Sequence, residues 1–314
     1  MSPAGLDPDA PLKIAYLTYR GKPHVGGQGV YTRHLTKAIA DLGHTVEVFG
    51  GQPYPVLDER ITLTKLPSLD TFNEYFPGRF PGFWELKTRE DALEMAQFVT
   101  GTFPEPLAFS ARAARELIPR AGEFDLVHDT QCLGYGLRKI EATIPTIVTL
   151  HHPITKDREL EMSHAKNRYK RWSVGRWYSF AKMQGRVASK MPRIVVVSQN
   201  SIDDIHTDMG VSVDRMRLVP VGVDPDLFKP LDHVARTPGR LITTASADVA
   251  LKGLSYLLEA MAKLRTERDV TLTIIGKPRP GHSMDLIDSY GLAPHIDFVS
   301  GVTDERIVEL YAEA

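Results

Sequence analysis

The apolar positions of the chain alternate between two spacings. Residues 12–18 (LKIAYLT) form a near-continuous apolar run, the signature of a strand buried on both faces. Residues 19–28 read as loop, and 30–42 take the helical spacing, with Leu35, Ile39 and Leu42 on one side. Gly43 closes that helix, and 45–49 (TVEVF) is the next strand. Strand, glycine loop, helix and strand in that order open a parallel, doubly wound sheet.

Residues 53–90 lose the rhythm and are rich in Pro, Gly and aromatics, among them Phe72, Tyr75, Phe76, Phe80, Phe83 and Trp84. Helical spacing returns over roughly 92–117. Two short apolar strands follow, 124–128 (FDLVH) and 146–150 (TIVTL), each with polar residues at its carboxyl end. Residues 156–190 read as a long helical stretch, and 193–197 (RIVVV) as a strand ending at Ser198.

A linker, VPVGVD at 219–224 closed by Pro230, introduces a second unit. There, strands at 241–245, 270–275 and 296–299 alternate with helices at 254–265, 283–290 and 304–313. The fold class expected is therefore α/β, with two Rossmann-like, doubly wound parallel-sheet domains. The expected organisation is a disordered leader at 1–11, an N-terminal Rossmann-like domain at 12–222, and a partial C-terminal Rossmann-like domain at 223–314. The second unit shows about three strands where such sheets commonly have five or six. It is expected to be incomplete, and the sequence to be a fragment.

Composition adds exclusions. The 314 residues are 42% hydrophobic and 25% charged, with a net charge of −1. That balance gives no reason to expect nucleic acid as a partner. The lone cysteine, Cys132, permits no intramolecular disulfide. The leader MSPAGLDPDAPLK lacks the basic-then-apolar order of a signal peptide, and no apolar run approaches a bilayer span. The expected location is the cytoplasm.

Three loops carry candidate chemistry. Gly26 and Gly27, in GGQG between the first strand and helix, let backbone N–H groups approach a phosphate, and the helix dipole favours an anion there. The spacing is not the dinucleotide fingerprint, and no acidic residue ends the second strand, which argues against a nicotinamide-dependent oxidoreductase. His151, in HHP directly after TIVTL, stands at the carboxyl end of a parallel strand, where ligands bind; a His there hydrogen-bonds a hydroxyl or transfers a proton. His152 is expected to be a structural loop residue, and the pair lacks metal-site spacing. Lys252–Gly253, opening the helix at 254, suits a diphosphate.

Taken in order, these segments are similar to the large retaining glycosyltransferase family 4, of the GT-B fold. The matching stretches are GGQGVYTRHLTKAIADLGHTVEVF, FDLVHDT, TIVTLHHP, VVVSQNSIDDI, RLVPVGVDPDLFKP, LKGLSYLLEAMAKL, LTIIGKP and IDFVSGVTDERIVELYAEA, covering residues 12–314. The resemblance implies transfer of a sugar from a nucleotide-diphosphate donor to an acceptor with retention of anomeric configuration. It implies no cofactor and no metal, since cationic side chains and helix N-termini stabilise the departing diphosphate. Gly26, Gly27, Ser246, Lys252 and Gly253 would bind the donor, and His151 would act beside the transferred sugar.

Two departures accompany it. The family usually has an Arg shortly before that Lys, where this chain has Ser246-Ala247-Asp248. The family's Glu-x7-Glu segment, which handles donor sugar and ribose, would fall beyond Ala314, so this form is expected to be weak or inactive. The alternative is a non-catalytic carbohydrate- or partner-binding remnant of the same fold.

Two surfaces remain. In 156–190, basic residues including Lys166, Lys170 and Arg171 interleave with Tyr169, Trp172, Trp177 and Tyr178. The stretch suits an anionic or lipid-linked acceptor, or peripheral contact at the inner membrane face; the competing reading is a solvated helix with inward aromatics. The aromatics of 72–84 suit either a carbohydrate acceptor pocket or the small core of an insertion.

Overall fold

The computed structural model describes residues 10–22, 27–73, 78–244, 252–278 and 280–314. Most of the expected leader, with Gly26, Tyr75, Phe76, Ser246, Ala247 and Asp248, lies outside the described residues. The chain divides into two compact units, Met1–Val221 and Gly222–Ala314.

The first unit is built on seven parallel strands: β1 (Lys13–Thr18), β2 (Thr45–Gly50), β3 (Thr62–Lys65), β4 (Leu126–Thr130), β5 (Thr146–Leu150), β6 (Ile194–Val196) and β7 (Met216–Leu218). Their order is β3-β2-β1-β4-β5-β6-β7. The chain therefore winds outward from β1 in one direction, returns, and winds outward in the other, and the reversal between β1 and β4 is where such sheets open a ligand crevice. In β1 the period-two alternation is plain. Ala15 and Leu17 enter one core with Phe109, Leu137 and Val148, while Tyr16 enters the other with Val46 and Val48.

Helix α1 (Gly27–Asp41) begins three residues earlier than its apolar pattern does. Its inward face is Gly29, Thr32 and Thr36, small residues that let the helix lie close to the sheet. A Cβ on Gly29 would sit 1.9 Å from the Lys22 carbonyl oxygen, so no other residue fits there. Leu35 and Ile39 are partly buried as expected, but Leu42 lies beyond the helix and is 77% exposed.

The expected helix over 92–117 is two: α2 (Arg89–Val99) and α3 (Glu105–Leu117). Thr88 accepts from Asp91 N–H and the Asp91 carboxylate answers it, a capping box that fixes the start of α2. Pro106, in the first turn of α3 where its missing N–H costs nothing, suits the start of that helix. Beyond β4 lies α4 (Tyr135–Glu141).

The long stretch at 156–190 is three helices, α5 (Thr155–Ser163), α6 (Arg168–Trp177) and α7 (Phe180–Ala188). Asn167 restarts the chain there by accepting from Lys170 N–H at 2.8 Å. A further helix, α8 (Gln199–Met209), follows β6, capped by Ser198.

The second unit has three parallel strands, β8 (Arg240–Thr243), β9 (Thr271–Ile275) and β10 (Ile296–Val299), ordered β10-β9-β8. Its helices are α9 (Leu254–Leu264), α10 (His282–Ser289) and α11 (Asp304–Glu313). Leu254, Leu258 and Met261 of α9 meet Leu272 and Ile274 of β9 and Ile287 of α10 in one core. Glu313 ties α11 back to β8, its carbonyl accepting from Thr237 N–H and its carboxylate pairing with Arg240 at 2.7 Å.

Candidate functional site

In the first unit, the polar ends of β4 and β5 and the first turns of α1 come together. His151 leaves β5 directly. Its backbone N–H donates to the Gln131 amide oxygen at 2.9 Å, and its carbonyl accepts from the Ser201 hydroxyl at 2.8 Å. The Gln131 amide nitrogen donates to the His152 carbonyl at 2.9 Å. One buried side chain thus spans both peptides of the HHP loop. Gln131 does so from a left-handed backbone, φ 52°, and its own carbonyl accepts from the Gln184 amide.

The His151 ring stands edge-on to Tyr31 of α1, centroids 4.6 Å apart. Tyr31 is hydrogen-bonded with Thr149, and Thr149 in turn with His128 Nε2 at 2.7 Å. His128 packs edge-on against Tyr16, whose hydroxyl accepts from Thr130. This packing withdraws both imidazoles from water. Burial holds His151 at about 4, aided by the neighbouring His152, and holds His128 at about 4. Both rings are neutral near pH 7. His151 Nε2 is buried with no hydrogen-bond partner among the described residues. A neutral imidazole nitrogen in that state retains its capacity to donate or accept one hydrogen bond.

His152 has a different environment. It is exposed, and its Nε2 meets Asp157 of α5 at 2.9 Å. Asp129 is fully buried, and one carboxylate oxygen accepts from Cys132 and Leu133 N–H. Burial raises that carboxyl to about 7 against those two bonds. Its role is to hold the β4–α4 loop that carries Gln131.

Gly27 is exposed at the start of α1, and a Cβ there would meet nothing within 4 Å. The open space and the helix N-terminus coincide, as an anion requires. In the second unit, Lys252 is exposed just before α9, and Gly253 caps that helix at φ 68° in the left-handed conformation glycine alone adopts cheaply. Among the described residues, no group of three or more His, Cys, Asp or Glu is placed to hold a metal.

The basic, aromatic stretch divides. Trp177 and Tyr178 turn inward, Trp177 packing on Phe72 and Phe103. Tyr169 and Trp172 turn outward, 76% and 63% exposed, beside the exposed Lys166, Lys170 and Arg171. The aromatics of 72–84 divide in the same way. Phe72 is partly buried against Phe98, whereas Phe83 and Trp84 are exposed. No described helix is long and apolar enough to cross a membrane.

Sequence reading missed Gln131, Tyr31 and Thr149. The FDLVHDT strand end pointed toward Gln131, but its amide acts from an unusual backbone angle that no spacing reveals.

Residues 25–227 match the sequence model described as "Glycosyltransferase Family 4", and residues 232–314 the one described as "Glycosyl transferases group 1". MMP alpha-(1->4)-mannosyltransferase of Mycolicibacterium hassiacum is 49% identical over 306 residues, 96% of this chain and 74% of that protein. Mannosylfructose-phosphate synthase of Agrobacterium fabrum is 21% identical over 94% of this chain and 66% of its own length. Among solved structures, WaaG, a glycosyltransferase involved in lipopolysaccharide biosynthesis, superimposes with a TM-score of 0.64 at 16% identity, over 96% of this chain and 73% of WaaG. Anabaena Alr3699/HepE, solved with UDP, gives 0.57 at 15% identity, over 96% and 72%. The chain belongs to glycosyltransferase family 4 and is a glycosyltransferase of the GT-B fold.

Proposed function

We propose that the chain transfers a mannosyl group from a nucleoside-diphosphate sugar to a carbohydrate hydroxyl, with retention of anomeric configuration. The observation that carries this reading is the 49% identity to a mannosyltransferase over nearly the whole chain. The chemistry at His151 supports it. A neutral imidazole with an unengaged Nε2 hydrogen-bonds a sugar hydroxyl without placing a cation beside an electron-poor anomeric carbon.

Departure of the nucleoside diphosphate leaves negative charge on the phosphate oxygens. In the second unit, Lys252 and the N-terminus of α9 supply positive potential for it, and Gly253 lets backbone N–H groups come close. No cofactor or metal is invoked, since these groups meet the charge that develops. The exposed Lys166, Lys170 and Arg171, with Tyr169 and Trp172, form a second part of the reading, a surface for an anionic membrane or a lipid-linked acceptor.

The test is transfer itself. The chain is incubated with GDP-mannose, UDP-glucose or ADP-glucose and an α-mannoside acceptor, and the product's anomeric configuration is read by NMR coupling. A new α-mannosidic bond from GDP-mannose is expected. A β-linked product refutes retention, and transfer from another donor alone refutes the mannosyl assignment.

A further inference from the structure

The hydrogen bonds that hold the HHP loop at His151 act on its backbone. The N–H donates to Gln131 and the carbonyl accepts from Ser201, which fixes the loop without fixing the side-chain torsions that aim the ring. Nε2 of that ring is buried and has no hydrogen-bond partner among the described residues. The aromatic contact on the imidazole comes from α1. Tyr31 meets it at an interplanar angle of 88° with centroids 4.6 Å apart, the edge-to-face arrangement that ring quadrupoles favour.

Tyr31 does not fill a core. It is partly exposed and packs in neither apolar core of the first unit, whereas Tyr16, Tyr19 and Tyr178 all do. The buried face of α1 is Gly29, Thr32 and Thr36, so the helix docks on the sheet without the Tyr31 ring. The ring is nevertheless tethered. Its hydroxyl is hydrogen-bonded with Thr149 of β5, which is fully buried and bonded in turn with His128 Nε2 at 2.7 Å. Thr149 precedes His151 by two residues, a spacing that puts two strand side chains on one face and lets a single tyrosine reach both. Gly27 stands four residues before Tyr31, one turn and ~6 Å along the same side of α1.

Resting on the proposed transfer reaction, we infer that Tyr31 is the positioning residue of His151, its ring setting the plane of the imidazole and aiming it along the side of α1 whose first turn carries Gly27. Tyr31 acts through His151 and needs no contact with the transferred sugar. The tether to Thr149 keeps the tyrosine in place, and the edge-to-face contact passes that placement to the imidazole.

The experiment compares Tyr31→Ala, which removes the ring and leaves a good helix former, with Tyr31→Phe, which keeps the ring and loses the tether. Imidazole resonances of the labelled chain are titrated without substrate, and kcat and donor KM are then measured with GDP-mannose and an α-mannoside acceptor. Burial, aided by His152, holds His151 at about 4; His128, also near 4, is followed alongside as the internal reference. In Tyr31→Ala the His151 midpoint should climb toward 6.5 as water reaches the ring. Its kcat should fall about tenfold or more with donor KM within about twofold, since displacing a reacting group by about 1 Å costs up to ~100-fold. Tyr31→Phe should keep the parent midpoint and a kcat within about threefold.

A parent-like midpoint and kcat in Tyr31→Ala overturn the inference. So does a loss in Tyr31→Phe as large as that in Tyr31→Ala, which makes the hydroxyl the operative group. A Tyr31→Ala chain that fails to fold, or whose loss falls on donor KM, makes Tyr31 a packing or donor-binding residue and overturns it as well. A parent chain that transfers from no donor overturns the transfer reading instead, and the substrate-independent ring titration then decides whether Tyr31 orients His151.

Discussion

Replacing Gln131 with Met keeps the length of the side chain and removes the amide. Gln131 is 6% exposed and makes both side-chain bonds to the HHP loop at 2.9 Å. Without them, His151 N–H and the His152 carbonyl lose their partners. An unsatisfied buried polar group costs ~1–3 kcal/mol. Water reaches the exposed His152 more readily than His151, so the sum is set at ~2–4 kcal/mol. For a unit of this size each kcal/mol moves the melting temperature by ~2–4 °C, so Gln131→Met should melt at least ~4 °C below the parent. Hydrogen exchange at His151 N–H should accelerate, and turnover should fall more than donor affinity, because the ring proposed to face the sugar is no longer held. An unchanged melting temperature with unchanged exchange at His151 would refute the reasoning.

Four further outcomes follow from the structure. His128 is held at about 4 against 6.5 unfolded, so the unfolded chain binds the extra proton first and stability is lost as pH falls from 6.5 toward 4. The loss reaches about 3 kcal/mol, and His128→Gln should flatten that limb in pH-dependent denaturation; an unaltered limb refutes the burial account. Gly29→Ala should destabilise by ~3 kcal/mol or more, read by chemical denaturation, because its Cβ has no space against the Lys22 carbonyl. Lys252→Ala should weaken GDP binding about tenfold in calorimetry, and equal affinity removes Lys252 from the donor site. Reversing Lys166, Lys170 and Arg171 to Glu should abolish sedimentation with anionic vesicles, each basic residue near such a surface contributing ~1 kcal/mol; a parent chain that never sediments ends the membrane proposal.

The sequence is most informative where burial is two-sided. β1 and β5 are near-continuous apolar runs, as suits strands covered on both faces, and β2 and β4 still carry enough apolar positions to be read as strands. β3 and β7 escape notice because TLTK and MRL are short edge strands with polar or exposed positions. The stops inside 156–190 are set by Asn167 and by the turn at Ser179, which leave the apolar rhythm nearly unbroken. At the candidate site, His151 follows from its place after a strand. Gln131 does not, because its function depends on a backbone angle and on two loops that meet only in three dimensions. The aromatics of 72–84 are ambiguous in sequence for a physical reason, since they include both the partly buried, ring-packed Phe72 and the exposed Trp84.

The position of β1 between β2 and β4, inside its sheet, also sets a clock for synthesis. β2 follows it closely in the chain and can join it early, but its other neighbour is β4, with Ile14 registered against Leu126. At ribosomal rates of ~5–20 residues per second, the nascent chain carries a half-paired central strand for roughly 6–22 s. During that interval its most apolar segment offers an open edge to any passing strand, so the yield of folded protein should respond to chaperone supply and translation speed more than to the stability of the finished fold.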